Sequence, residues 1–439
     1  MIRQSLLAAL CLTAIAPLVR AADDFERDPI NYSQATPDNV VSRLQQQLEA
    51  GQASLKFDGD RGYIDAVLKE LNVPVSSQVL VFSKTSLQRS KISARTPRAL
   101  YFNDEVYVGY CQSGDVVEVS VADPQLGTVF YSMDQDLEES PKFLRQTDAC
   151  LLCHGSSNTH YVPGHTIRSV FADAAGQPIL AAGTHRTDHT SPLKERWGGW
   201  YVTGTHGEQE HLGNLVVRTK RVPDKIDNSA GQNVTDLSTL IDVTPYPTPH
   251  SDLVALMVLE HQADAHNFLT RANFETRMAL QYEKSLNREL GEAPDHRWDS
   301  TKTRIKSAGE ALVKYLLFSG EAKLTGPVHG TSGFEQEFPT RGPRDAQGRS
   351  LRDFDLQTRL FKYPCSYLVY SPTFDGLPGE MKDFVLRRMY QVLSGEDSSK
   401  EFSHLSAADR QAILEILRET KPDLPEYWRT APAASATGG

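Results

Sequence analysis

Between residues 79 and 134 the chain alternates short β-branched and aromatic runs with turn signals, and no other feature narrows the fold as much. Residues 79–82, 99–102, 106–110, 116–121 and 128–132 are each the length of a strand. Turn residues at Asn103-Asp104, at Ser113-Gly114-Asp115 and across 123–127 separate the last four. Runs this short, punctuated this often, predict an antiparallel meander, because parallel strands need a long crossover between them. Two short amphipathic helices are predicted ahead of it, over 39–48 and 64–71. Further strands are predicted at 167–171, 178–182, 197–203 and 212–217, with a hairpin turn at Asp173-Ala174-Ala175-Gly176. Between the two strand sets, Ser140 and Pro141 read as the cap and first turn of a helix running toward residue 154.

A proline-rich segment, Thr244-Pro245-Tyr246-Pro247-Thr248-Pro249, then marks a change of character. A helical pattern runs from 253 to about 290, capped by Ser251 or Asp252 and stopped by Gly291. More helices are expected over 301–322, 379–393 and 407–420, with a long loop across 325–352. The expected fold class is therefore α+β, with an antiparallel strand-rich region over 22–243 and a mainly helical half over 250–430. Residues 431–439, all small or proline, are expected to be a disordered tail.

The N-terminus reads as a signal peptide over 1–21. A basic start at Arg3 precedes an apolar run over 6–19 and small residues near Ala21. That run is shorter than the roughly 20 residues of a membrane-spanning helix, which favours cleavage over a retained anchor. A periplasmic or secreted location follows. The formal net charge of the whole chain is −10, and removing Arg3 and Arg20 with the leader takes the mature chain to −12 by the same counting. Such an acidic chain, without a Lys/Arg run, has no electrostatic footprint for nucleic acid or an anionic membrane. No second apolar stretch is long enough for a transmembrane segment after signal cleavage.

Within the strand-rich region lies Cys150-Leu151-Leu152-Cys153-His154. C-x-x-C-H is the attachment signature of c-type haem: two thiols one helical turn apart form thioethers, and the adjacent imidazole ligates iron. In these residues the chain resembles the c-type cytochromes. The resemblance implies one covalently attached haem c, with Cys150 and Cys153 as thioether sites and His154 as proximal iron ligand. It does not extend to the small all-helical cytochrome c fold, since strands flank the motif and the next methionine is Met257. Two other chemistries use the same residue types. A redox C-x-x-C belongs after a strand of a βαβ unit, and a zinc site needs a fourth ligand from the histidines downstream.

The sixth iron position separates electron carriage from ligand binding. Candidates after the motif are His160, His165, His185, His189, His206, His211, His261 and His266, with Met133 before it. His261 stands out as the distal candidate, since Met257, His261, Ala265 and Phe268 form one helical stripe; the plainer reading is a core histidine bonded to a neighbour. Trp197, Trp200 and Tyr201 could pack a macrocycle or form sheet core, and Arg359 or Lys362 could meet a propionate or lie on a surface strand. Cys111 and Cys365 are either one disulfide or two buried thiols.

The function these features imply is that of an exported monohaem c-type cytochrome working in electron transfer, or of a haem oxidoreductase with a redox partner protein. The alternatives are a haem-based ligand-binding or sensory module and a zinc-stabilised structural protein.

Overall fold

Side chains along residues 116–134 point alternately to the two faces of the central sheet, and those faces are unlike. The computed structural model describes residues 24–138, 140–219 and 226–429; the expected signal peptide over 1–21 and the expected tail over 431–439 lie outside them. Strands β1 (Val79–Val81), β2 (Arg98–Phe102), β3 (Val106–Tyr110), β4 (Val116–Asp123), β5 (Gly127–Asp134) and β6 (Leu144–Gln146) pair consecutively and antiparallel. Four two-residue strands follow, β7 (Arg168–Ser169), β8 (Ala172–Asp173), β9 (His185–Arg186) and β10 (Trp200–Tyr201), then β11 (Val216–Val217). Of these, β10 joins the main sheet beside β1, giving seven strands in the order β10-β1-β2-β3-β4-β5-β6. The remaining four form two small ribbons.

On one face Tyr101, Val108, Val117, Val119, Val121 and Met133 are buried against helices α1 (Val40–Glu49) and α2 (Ile64–Glu70). Asn39 starts α1 with a reciprocal capping box to Ser42. Register places Gly109, Glu118, Ser132 and Leu144 in a row on the opposite face. That face is covered at one end only. Phe102 and Tyr107 share a core with the long helix α4 (Leu253–Leu290), which follows the one-turn helix α3 (Leu151–His154). Toward the other end Glu118, Ser132 and Gln146 are half-buried and Leu144 is exposed.

Helix α4 is 38 residues long because its signals agree. Asp252 caps it through Ala255 N–H, and Gly291 ends it in the left-handed conformation. Residues 253–259 are buried all round, as expected of a helix enclosed on every side. It packs on β5, α5 (Asp299–Leu316), α6 (Phe334–Glu337), α7 (Pro372–Asp375) and α8 (Gly379–Leu393), and α9 (Ala407–Thr420) closes on α8. The Asp252 carboxylate also accepts from Thr331 and Ser332, pinning the 325–352 segment to the start of α4.

Several expectations are corrected here. No helix opens at Ser140; the chain instead adds β6 to the free edge of β5, and Phe143 N–H goes to Gln45 Oε1, so its backbone groups find partners without a helix. Helix α5 stops at Leu316, because the chain turns at Phe318 (φ 57°) and Gly320 (φ 81°). Residues 178–182 make a bridge and a 3₁₀ turn, not a strand, and Arg359 and Lys362 lie on no strand. The proline-rich segment lies on the sheet: Tyr246 OH donates to Pro97 O at 2.7 Å, and Gln78 Nε2 donates to the carbonyls of Thr248 and His250. Cys111 and Cys365 are buried free thiols and form no disulfide. Among the described residues no helix is long and apolar enough to cross a membrane.

Candidate functional site

The turn that carries the cysteines is short because Gly155 follows it. Cys150 O accepts from the N–H groups of Cys153 and His154 (3.3 and 2.9 Å), and Gly155 N–H closes on Leu151 O. Cys150, Cys153 and His154 thus stand on adjoining positions of one helical turn. Cys150 is half-buried and Cys153 exposed, and both are free thiols. Burial pushes the Cys150 thiol up to about 11. A disulfide-exchange cysteine needs the opposite shift, which removes support from the redox-thiol reading. Among the described residues no group of three or more His, Cys, Asp or Glu side chains converges as a metal site.

The His154 ring packs against Phe130 on β5, with centroids 5.0 Å apart. Burial lowers its pKa, so the ring is neutral. Its Nδ1 lies 2.8 Å from Gly164 O. A carbonyl only accepts, so the proton sits on Nδ1 and Nε2 keeps its lone pair. Among the described residues Nε2 has no hydrogen-bond partner. A neutral imidazole oriented by a backbone carbonyl, with Nε2 left without a protein partner among the described residues, has the donor chemistry of an axial haem ligand, and both thiols lie on the same helical turn.

The loop from 155 to 165 holds that geometry. Gly164 N–H donates back to His154 O at 2.8 Å. His160 and Tyr161 occupy the left-handed region, at φ 56° and 62°. From α4, Asn267 accepts His165 N–H on Oδ1 (3.0 Å) and donates Nδ2 to His165 O (2.7 Å). A Cβ on Gly164 would lie 2.0 Å from Asn267 Oδ1. Gly164→Ala is therefore expected to displace Asn267 and cost about 1–3 kcal/mol, as overpacking in a buried site does. Urea unfolding checks this; an unchanged midpoint would show that the loop absorbs the methyl group.

Arg98 lies across Gly109 on the half-open sheet face and pairs with Glu118, which also accepts from Ser86 at 2.9 Å. This pair is close enough to act on both Cys150 and His154. Leu144 on β6 and Leu152 on α3 itself are exposed. The turn thus faces solvent on its Leu152–Cys153 side and a charged, half-buried sheet surface beneath. Arg98 is the cation beside it, whereas Arg359 is engaged with Asp409 and Lys362 lies over Tyr363.

The other sequence candidates are dispersed. His165 packs against Tyr107 with tilted rings 4.0 Å apart, and its ring nitrogens meet Ser120 Oγ (2.8 Å) and Thr128 Oγ1 (3.4 Å). His160 Nε2 meets Asp264 Oδ1 at 3.1 Å. His261, the distal candidate, is wholly buried, with Nδ1 against His189 Nδ1 (2.9 Å) and Nε2 against Ser366 Oγ (2.8 Å). Both its nitrogens are taken by protein groups, as in the core-histidine reading. His266 meets Asp104 O, His185 meets Ser191 and Glu195, and His206 and His211 pack on each other at 4.7 Å. Met133 is fully buried on the closed sheet face. Trp197, Trp200 and Tyr201 are sheet core, with Trp200 Nε1 donating to Arg168 O.

Gly164, Asp264 and Asn267 were not singled out from the sequence. The one signal that could have found Asp264 and Asn267 is their spacing of three, two polar residues on one face of a helical pattern. No family model, curated protein or solved structure matches this chain.

Proposed function

We propose that the protein is an exported monohaem c-type cytochrome that acts in electron transfer or as a haem oxidoreductase with a redox partner protein. The observation that carries this reading is the state of His154: Nδ1–H held by the Gly164 carbonyl, Nε2 free, two unbridged thiols on the same turn. Cys150 and Cys153 would hold the haem through thioethers and His154 would ligate its iron. Bound there, haem supplies one-electron chemistry. Gly164 orients the ligand and Phe130 keeps water from one side of the imidazole, while Arg98, held by Glu118, would reach a propionate only by leaving that partner. The exposed Leu152 and Cys153 put this site at the surface, where electron exchange with a partner is short-range.

Full-length protein from an export-competent host with haem-maturation machinery is expected to show a c-type pyridine haemochrome and to keep haem on a denaturing gel. Cys150→Ala/Cys153→Ala is expected to abolish that retention. A chain that carries no haem, or that binds stoichiometric zinc instead, would overturn the reading. The ring nitrogens of His160, His165 and His261 are engaged by protein groups, which favours an open or exchangeable sixth position and keeps the ligand-binding or sensory alternative in play. Rapid carbon monoxide binding to the ferrous protein would support that alternative over a six-coordinate carrier.

A further inference from the structure

The His154 bond to Gly164 O continues further. Gly164 C=O and His165 N–H belong to one peptide unit. Its oxygen accepts from His154 Nδ1 at 2.8 Å, and its N–H donates to Asn267 Oδ1 at 3.0 Å. Asn267 Nδ2 in turn donates to Asp264 Oδ1 at 3.0 Å. Every donor in this series points the same way, from the imidazole to a carboxylate. Asp264 Oδ1 also meets His160 Nε2 at 3.1 Å, whereas Oδ2 is buried and has no hydrogen-bond partner among the described residues. Arg186, at 3.9 Å on the more exposed side, offsets part of the carboxylate charge.

We infer that Asp264 and Asn267 are positioning residues that tune His154 through the Gly164–His165 peptide, and this rests on the haem reading above. Hydrogen bonds in series polarise one another. A negative charge at the end of the series draws Nδ1–H toward Gly164 O, makes Nε2 a stronger donor, and favours the more positive oxidation state of a bound iron. The series also accounts for the joining of the 155–165 loop to a helix about a hundred residues later, since Asn267 holds both the N–H and the C=O of His165.

Asp264→Asn removes the charge and keeps the shape. In the haem-loaded protein it is expected to raise the midpoint potential, shifting the ferric-to-ferrous equilibrium by about tenfold, at the low end of what outer partners of a ligating histidine contribute. In a haem-free full-length chain, Cys150→Ser/Cys153→Ser, it is expected to move the His154 Nδ1–H proton resonance upfield as that bond weakens. A merely structural role would lower the unfolding temperature and leave both readouts in place, and that result would overturn the inference. A moved resonance in a chain that never loads haem would uphold the hydrogen-bonded series and sink the haem reading alone. Should Asp264→Asn not fold, amide exchange in the wild type decides: the His165 N–H is expected to be strongly protected, and fast exchange there would overturn the proposal.

Discussion

Titrated from pH 7.5 to pH 4.5, the full-length protein is expected to lose its near-ultraviolet circular dichroism cooperatively, well before its carboxylates are mostly protonated. The cause is an unusual number of histidines held neutral inside the fold. Burial pulls His189 and His211 down to about 3 and His266 down to about 4. Arg196 adds to the effect at His189, and His206 adds to it at His211. Each takes up a proton in the unfolded chain near pH 6.5 but refuses it in the fold until the pH is far lower. Their contribution is complete above pH 6.5 and is lost as the pH falls toward the folded values. At pH 5 each withdraws roughly 2 kcal/mol, so these three withdraw about 6 kcal/mol from a total that is typically 5–15 kcal/mol. His165 and His261 are held well below the usual range for the same reason and act in the same direction. Glu260 and Glu321, pushed up to about 7 by burial, titrate in the opposite sense and offset part of the loss. Histidines lowered by burial outnumber them, so the net effect is acid lability. Undiminished dichroism and unfolding temperature at pH 4.5 would contradict this account.

At pH 8, Arg196→Met is expected to destabilise the protein by about 3–5 kcal/mol, the cost of leaving Glu260 in the interior either as an unmatched carboxylate or protonated far above its ordinary range. Arg196 Nη1 and Glu260 Oε2 are 3.0 Å apart, and their side chains are only 4% and 0% exposed. The guanidinium also donates to Ser191 O (2.8 Å) and His189 O (3.2 Å), so it fastens the 189–196 segment to α4. Replacing both partners removes the stranded charge. Arg196→Met/Glu260→Leu is expected to recover most of the loss, because apolar pairs of similar volume replace buried ion pairs at little net cost. Urea unfolding of the two variants provides the comparison. A double variant as unstable as the single one would place the cost in the lost backbone contacts and not in the charge.

The sheet was legible because its signals are local. Turn residues and alternation over 79–134 locate β1 to β5 to within a residue or two, and Asp252 and Gly291 bound α4 as the sequence indicates. What could not be read is non-local. Ser140-Pro141 looks like a helix start until β5 presents an edge for 144–146 to pair with. His261 has the spacing of a ligand and of a core residue alike, and only the arrival of Ser366 and His189 from distant segments decides which groups meet its nitrogens. At the site itself, Cys150, Cys153 and His154 are contiguous and visible. Gly164 and Asn267 are meaningful only together, and 103 positions separate them in the chain.

That separation has a consequence for how the molecule is assembled. A chain synthesised from its N-terminus presents Cys150 to His154 long before Asn267 exists, so during this interval the 155–165 loop lacks the clasp that fixes its last peptide. Residues 155–165 therefore reach their final geometry only once α4 has formed and Asn267 holds both sides of His165. In this protein the C-terminal half is the closing step of the N-terminal site.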